Sequence, residues 1–144
     1  MKVIFLDIDG VLAIRSSLRK GCWQLDPGGV GRLNRLVRET QAKIVVSSTW
    51  RIGRTLDQLK EVLAEQGVKI EPIIGVTPRT QMNGCRGDDI QRWLTDNPGV
   101  EVFVILDDDA DMLHLLPSLV KTDMVSGLTD HHVSLAKRKL VWDE

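Results

Sequence analysis

Cysteine is scarce in this chain. Cys22 and Cys85 are the two among 144 residues, too few and too isolated for a disulfide framework or a zinc site, so two reduced thiols are expected. Positive charge is not in excess either. The formal net charge is -1, so no global field argues for nucleic acid, and a basic binding surface would have to be local. No apolar run approaches the length of a membrane span. The short apolar stretch at the N-terminus is interrupted by Asp7 and Asp9 and followed by no small-residue cleavage site, unlike a signal peptide. A soluble, cytoplasmic protein is the expectation. Internal repeats, low-complexity tracts and interdomain linkers are also missing, which with the length predicts one compact domain over residues 1–144.

Apolar segments and helical patterns alternate along the chain. Residues 3–6 form a short apolar run that stops at an acidic pair, and its lack of alternation suggests a strand buried on both faces. After Pro27-Gly28-Gly29, Val30, Leu33, Leu36 and Val37 share one helical face. Residues 43–46 read as a second buried strand ending at Ser47-Ser48. Thr55 and Gln58 have capping-box spacing at the start of the next helix, with Gly67 as its stop. A third strand is expected in 68–74, broken by Pro72. Asp88 is the expected cap of a helix carrying Ile90, Trp93 and Leu94. Residues 102–106 are a fourth buried strand, ending in Asp107-Asp108-Asp109. A short apolar helix at 112–116, a weak strand at 119–121 and a last helix that begins after Thr129 and runs to about Leu140 complete the pattern. Such alternation predicts an α/β domain with a central parallel sheet.

In open parallel sheets the ligand site lies at the carboxyl ends of the strands. Three strands here deliver Asp7 and Asp9, Ser47-Ser48, and Asp107-Asp108 to one edge. Like charges at ~4 Å repel by roughly 4 kcal/mol even at an effective dielectric of 20. A divalent cation removes that cost, and all-oxygen ligands from Asp7, Asp9, Asp107 and Asp108 favour Mg²⁺. A metal beside a carboxylate suits phosphoryl transfer, with Asp7 as nucleophile forming an aspartyl-phosphate. The two-residue step returns Asp9 to the same side of an extended backbone, placed to act as general acid and then base. Gly10 lets the chain turn away after the pair.

Those residues carry a family likeness. Asp7-Ile8-Asp9-Gly10-Val11-Leu12 after an apolar strand resembles the first motif of the haloacid dehalogenase-like phosphatase superfamily. Ser47 after Ile44-Val45-Val46 resembles its second, a hydroxyl that binds the phosphoryl group, with Ser48 as the alternative. Arg86 best matches the third, a phosphate-binding cation, with Arg79 competing. Asp107-Asp108 resembles the fourth, which completes the metal site, with Asp111 able to replace Asp108. The spacing between motifs leaves no room for a cap domain. The resemblance therefore implies the capless branch and a single doubly wound (Rossmann-like) sheet of about five strands, order 3-2-1-4-5. Its members often act on exposed phosphates of macromolecules or cover the site by oligomerising. Ser47-Ser48-Thr49-Trp50-Arg51 is also similar to small domains associated with RNA-repair proteins.

The segment after the first motif holds Arg15, Arg19, Lys20 and Trp23. Together with Trp50 and Arg51 they could hold a nucleotide or a nucleic-acid terminal phosphate, a Trp stacking on the base. A small metabolite closed in by a neighbouring subunit, a metal-dependent nuclease and a non-catalytic binding domain are the rival readings. A response-regulator receiver is disfavoured because the third strand ends near Gly75-Val76-Thr77 with no acid. His114 is expected to pack, Trp93 to lie in the core, and His131-His132 lacks ligand spacing.

Overall fold

Residues 1–18, 24–79 and 85–141 are described here, from a computed structural model. Five parallel strands, β1 (Lys2–Leu6), β2 (Lys43–Val46), β3 (Ile73–Val76), β4 (Val102–Asp107) and β5 (Leu119–Lys121), form one sheet in the order β3-β2-β1-β4-β5. Helices α1 (Arg15–Leu18), α2 (Pro27–Thr40), α3 (Leu56–Glu65), α4 (Arg86–Asp96) and α5 (Asp130–Val141) connect or flank them. Among the described residues no domain is inserted between the strands.

Side-chain alternation divides the core in two. Ile4 and Leu6 of β1 join Ile44, Val46, Val104 and Leu106 against Leu33 and Leu36 of α2, Leu59 and Leu63 of α3, and Ala136 and Leu140 of α5. Val3 and Phe5 point the other way, with Val45 and Ile105, against Ile90 and Trp93 of α4. Strands buried on both faces explain the continuous apolar runs. The last residue of such a run is where a polar side chain can emerge at the sheet edge, and its face follows from register alone.

Several local expectations are corrected. The Pro27-Gly28-Gly29 triplet is the first turn of α2 rather than its prelude. Asp26 caps that helix by accepting from Gly29 N at 3.1 Å, and Pro27, lacking an N–H, fits the first turn. Strand β3 begins after Pro72 rather than at 68, since proline cannot donate to the ladder. Helix α4 starts at Arg86, with Cys85 rather than Asp88 at its N-cap and Asp88 in the first turn. The segment after β4 is a 3-10 turn, Leu113–Ser118, on which His114 is exposed beside Gln91 rather than packed. Trp93 lies in the core, edge-on to Phe5.

Candidate active site

Each central strand ends in a polar residue, and the ladder continues far enough to align them. Asp7 N donates to Leu106 O at 3.0 Å, Ser47 N to Leu6 O at 2.9 Å and Thr77 N to Val46 O at 3.0 Å. Thr77, Ser47, Asp7 and Asp107 therefore stand in one row across four strands. Each is two residues beyond a position on the α4 face: Gly75, where a Cβ would meet Trp93, and Val45, Phe5 and Ile105. The row thus emerges on the face that α4 covers.

Helix α4 brings the cation. Arg86, its first residue, places Nη1 2.9 Å from Asp7 Oδ1 and 2.8 Å from Asp107 Oδ2. A cation at a helix N-terminus opposes the dipole, and two carboxylates offset that cost. The helix is docked by Gly87 N, which donates to Asp111 O at 3.0 Å. A Cβ on Gly87 would collide with the Met112 backbone, so only glycine permits this approach. Gly10, at φ +82, plays a similar part for Asp108, whose carboxyl occupies the space a Cβ would need.

Asp7, Asp107 and Asp108 could hold a metal ion, because each offers an oxygen and these oxygens lie within 4.8 Å of one another. Burial pushes the Asp107 carboxyl up to about 6, the neighbouring Asp7 charge adds to the rise, and Arg86 opposes it. Asp7 is raised too, by burial against the pull of Arg86. Asp108 is raised by burial and then by Asp107. Three carboxylates against one guanidinium leave a surplus of negative charge that a divalent cation neutralises. The donor set is all oxygen, which fits a hard cation.

Asp9 is placed differently. Its carboxylate is outside that group and accepts from Trp50 Nε1 at 3.1 Å. Trp50 is buried, so the expected stacking platform is largely spent on the protein interior. Arg51 is likewise committed: it donates to Thr77 O at 2.8 Å and Ser48 O at 2.8 Å, and pairs with buried Asp89 at 3.0 Å. Ser48 Oγ caps the 3-10 turn Thr49–Arg51, whereas Ser47 Oγ is buried with no partner. Asp111 is drawn to the α4 N-terminus, and Arg79 is exposed. Arg15 is exposed on α1, while Arg19 and Trp23 lie outside the described residues, as do Lys20 and Cys22.

Asp9 also opens on a cavity of about 360 Å³ lined by Thr49, Trp50, Arg54 and Val62. Arg54, which no motif marks, lines this cavity and donates from Nη1 to Trp50 O at 2.8 Å.

Comparison with curated proteins and with solved structures gives no significant match. The family described as HAD domain in Swiss Army Knife RNA repair proteins matches residues 3–133, a span that contains all of the sheet but Lys2 and the whole acidic edge. Fold, motif order and this match agree, and the chain belongs to that HAD domain family.

Proposed function

We propose that the chain is a Mg²⁺-dependent phosphomonoesterase that works through an aspartyl-phosphate on Asp7. One observation carries the reading: Arg86 bridges Asp7 and Asp107 at the sheet edge, beside an acidic trio fit for a cation. Burial raises the Asp7 carboxyl, and the Arg86 guanidinium is the strongest of the groups that oppose the rise.

Mg²⁺ held by Asp7, Asp107 and Asp108 would neutralise charge on the phosphoryl oxygens. Arg86 and the Ser47 hydroxyl bind the phosphoryl group. An Asp7 oxygen attacks phosphorus, the bond to the leaving oxygen breaks, and Asp9 gives that oxygen its proton. Asp9, now a carboxylate, takes a proton from water as the water attacks the aspartyl-phosphate. Inorganic phosphate leaves and Asp7 is restored.

The family's association with RNA repair and the open, capless edge favour a terminal phosphate on a nucleotide or nucleic acid. The cavity that Asp9 shares with Thr49, Trp50, Arg54 and Val62 supports this, since its apolar surface suits a base and Arg54 a further phosphate. Asp7→Asn is expected to abolish hydrolysis of an aryl phosphate while the protein remains folded, and excess chelator to silence the wild type until Mg²⁺ is restored. Full activity in chelator, or in the Asn variant, would sink the proposal.

A further inference from the structure

Among the described residues, two buried side-chain polar atoms lack a hydrogen-bond partner: Ser47 Oγ and Thr77 Oγ1. They are neighbours. Val46 pairs with Val76 in the β2–β3 ladder, and Thr77 N donates to Val46 O, so Ser47 and Thr77 are the next matched pair. Both emerge on the α4 face, one strand spacing apart, about 4.8 Å. Ser47 is 1% exposed and Thr77 2% exposed.

Buried polar groups are nearly always bonded, and one left alone bears the full cost of its desolvation. A single orphan could be incidental. Two side by side, in the row that ends in Asp7 and Asp107, point to a shared partner. Valine has the shape of threonine without the hydroxyl and would suit a purely apolar strand end better. The surroundings name the sign of that partner. Arg51 clamps the backbone here, donating from Nε to Thr77 O at 2.8 Å and from Nη1 to Ser47 O at 3.3 Å. Its guanidinium is close enough to Arg86 and Arg79 to feel both charges. Arg51, paired with Asp89 at 3.0 Å, lies at the β2–β3 end, Arg79 follows Thr77 by two residues, and Arg86 reaches from α4 to the carboxylates of β1 and β4. Hydroxyls under a positive field donate to anions.

We propose that Thr77 Oγ1 is a second hydroxyl of the phosphoryl-binding site, donating beside Ser47 Oγ to different oxygens of one tetrahedral anion. This rests on the phosphohydrolase reading and extends it to a residue outside the four motifs. The hydroxyl contributes binding rather than stability, so the two properties separate on substitution.

The test uses the full chain with Mg²⁺ and inorganic phosphate as the probe, with calorimetric binding and thermal unfolding measured for wild type, Thr77→Val, Thr77→Ser and Ser47→Ala. Thr77→Val should weaken phosphate binding about tenfold or more, the effect of one charge-assisted hydrogen bond, while Tm stays level or rises. Thr77→Ser, which keeps the hydroxyl, should bind within a few-fold of wild type. Wild-type affinity in Thr77→Val overturns the assignment: with a lowered Tm the hydroxyl served a structural water, and with an unchanged Tm it was idle. If Ser47→Ala weakens binding and Thr77→Val does not, the site stands and Thr77 is outside it. Wild-type protein that binds no phosphate overturns the phosphohydrolase reading and the role of Thr77 with it.

Discussion

A buried tryptophan has one polar atom to satisfy, its indole N–H, and the choice of acceptor says what the residue is for. In Trp50 that acceptor is Asp9 Oδ1, 3.1 Å away. A carboxylate two residues along a turning backbone would otherwise rotate freely, and a general acid is useful only when aimed at the leaving oxygen. Trp50 is thus a positioning residue for Asp9 in the proposed reaction. Trp50→Phe removes the N–H together with part of a buried ring, so Tm should fall by a few degrees, while partly buried Asp9 can turn to water. Hydrolysis of an alkyl phosphate should fall roughly ten- to hundredfold, part of the 10²–10⁴ that general acid catalysis contributes. A nitrophenyl phosphate, whose leaving group needs little protonation, should lose much less. Comparing kcat on the two substrates checks this, and equal losses would mean that Trp50 does not act through Asp9.

Elements meet at the site through a few cross-links, of which Arg51 is the densest. It ties the 3-10 turn after β2 to the end of β3 and, through Asp89, to the first turn of α4, which carries Arg86. Arg51→Met leaves the buried Asp89 carboxylate without that guanidinium, at a cost of about 3 kcal/mol or more. At about 2–4 °C per kcal/mol for a chain of this size, Tm should drop by roughly 10 °C. The double variant Arg51→Met/Asp89→Leu should recover much of the loss, since an apolar pair of similar volume replaces a buried ion pair at little cost. A double variant no more stable than the single one would refute this account. Elements of this kind are only partly legible in the sequence. Strand β2 and the Thr55–Gln58 capping box are local patterns, and both are found where the periodicity and spacing put them. The start of α4 is set by tertiary docking on Asp111 and Met112, which no local signal carries. Asp7, Ser47 and Asp107 stand out because polar residues end apolar runs. Thr77 ends a run too, but a search for carboxylates passes over it, and only register reveals its company. Trp50 and Arg51 look like a substrate surface in one dimension because burial is not written in their identity.

On the scale of the whole molecule, the order β3-β2-β1-β4-β5 puts the topological reversal between β1 and β4, where the chain leaves one half of the sheet for the other. Crevices form at such points, and Asp7, Asp107 and Asp108 flank this one. A net charge of -1 conceals a local pattern along that edge, with three carboxylates and Arg86 at β1–β4 and the Arg51–Asp89 pair towards β2–β3. In the proposed reaction a phosphate ester would present its phosphorus to Asp7 and its carrier to the cavity by Asp9. No inserted domain among the described residues limits the carrier's size, so a phosphorylated oligonucleotide end should be a better substrate than a phosphosugar, measured as kcat/KM. Arg54 lines that cavity, donating from Nη1 to Trp50 O, and in the proposed reading its remaining donors would meet a neighbouring phosphate. Arg54→Gln should raise KM for the oligonucleotide far more than for an aryl phosphate. It should also flatten the salt dependence of oligonucleotide KM by up to ~0.7 log units per decade, the share of one phosphate contact on a single strand. The rival is a small-metabolite phosphatase closed by a neighbouring subunit. It predicts that phosphosugars are turned over efficiently, that oligonucleotides bind no better than inorganic phosphate, and that activity falls on dilution as the subunits part.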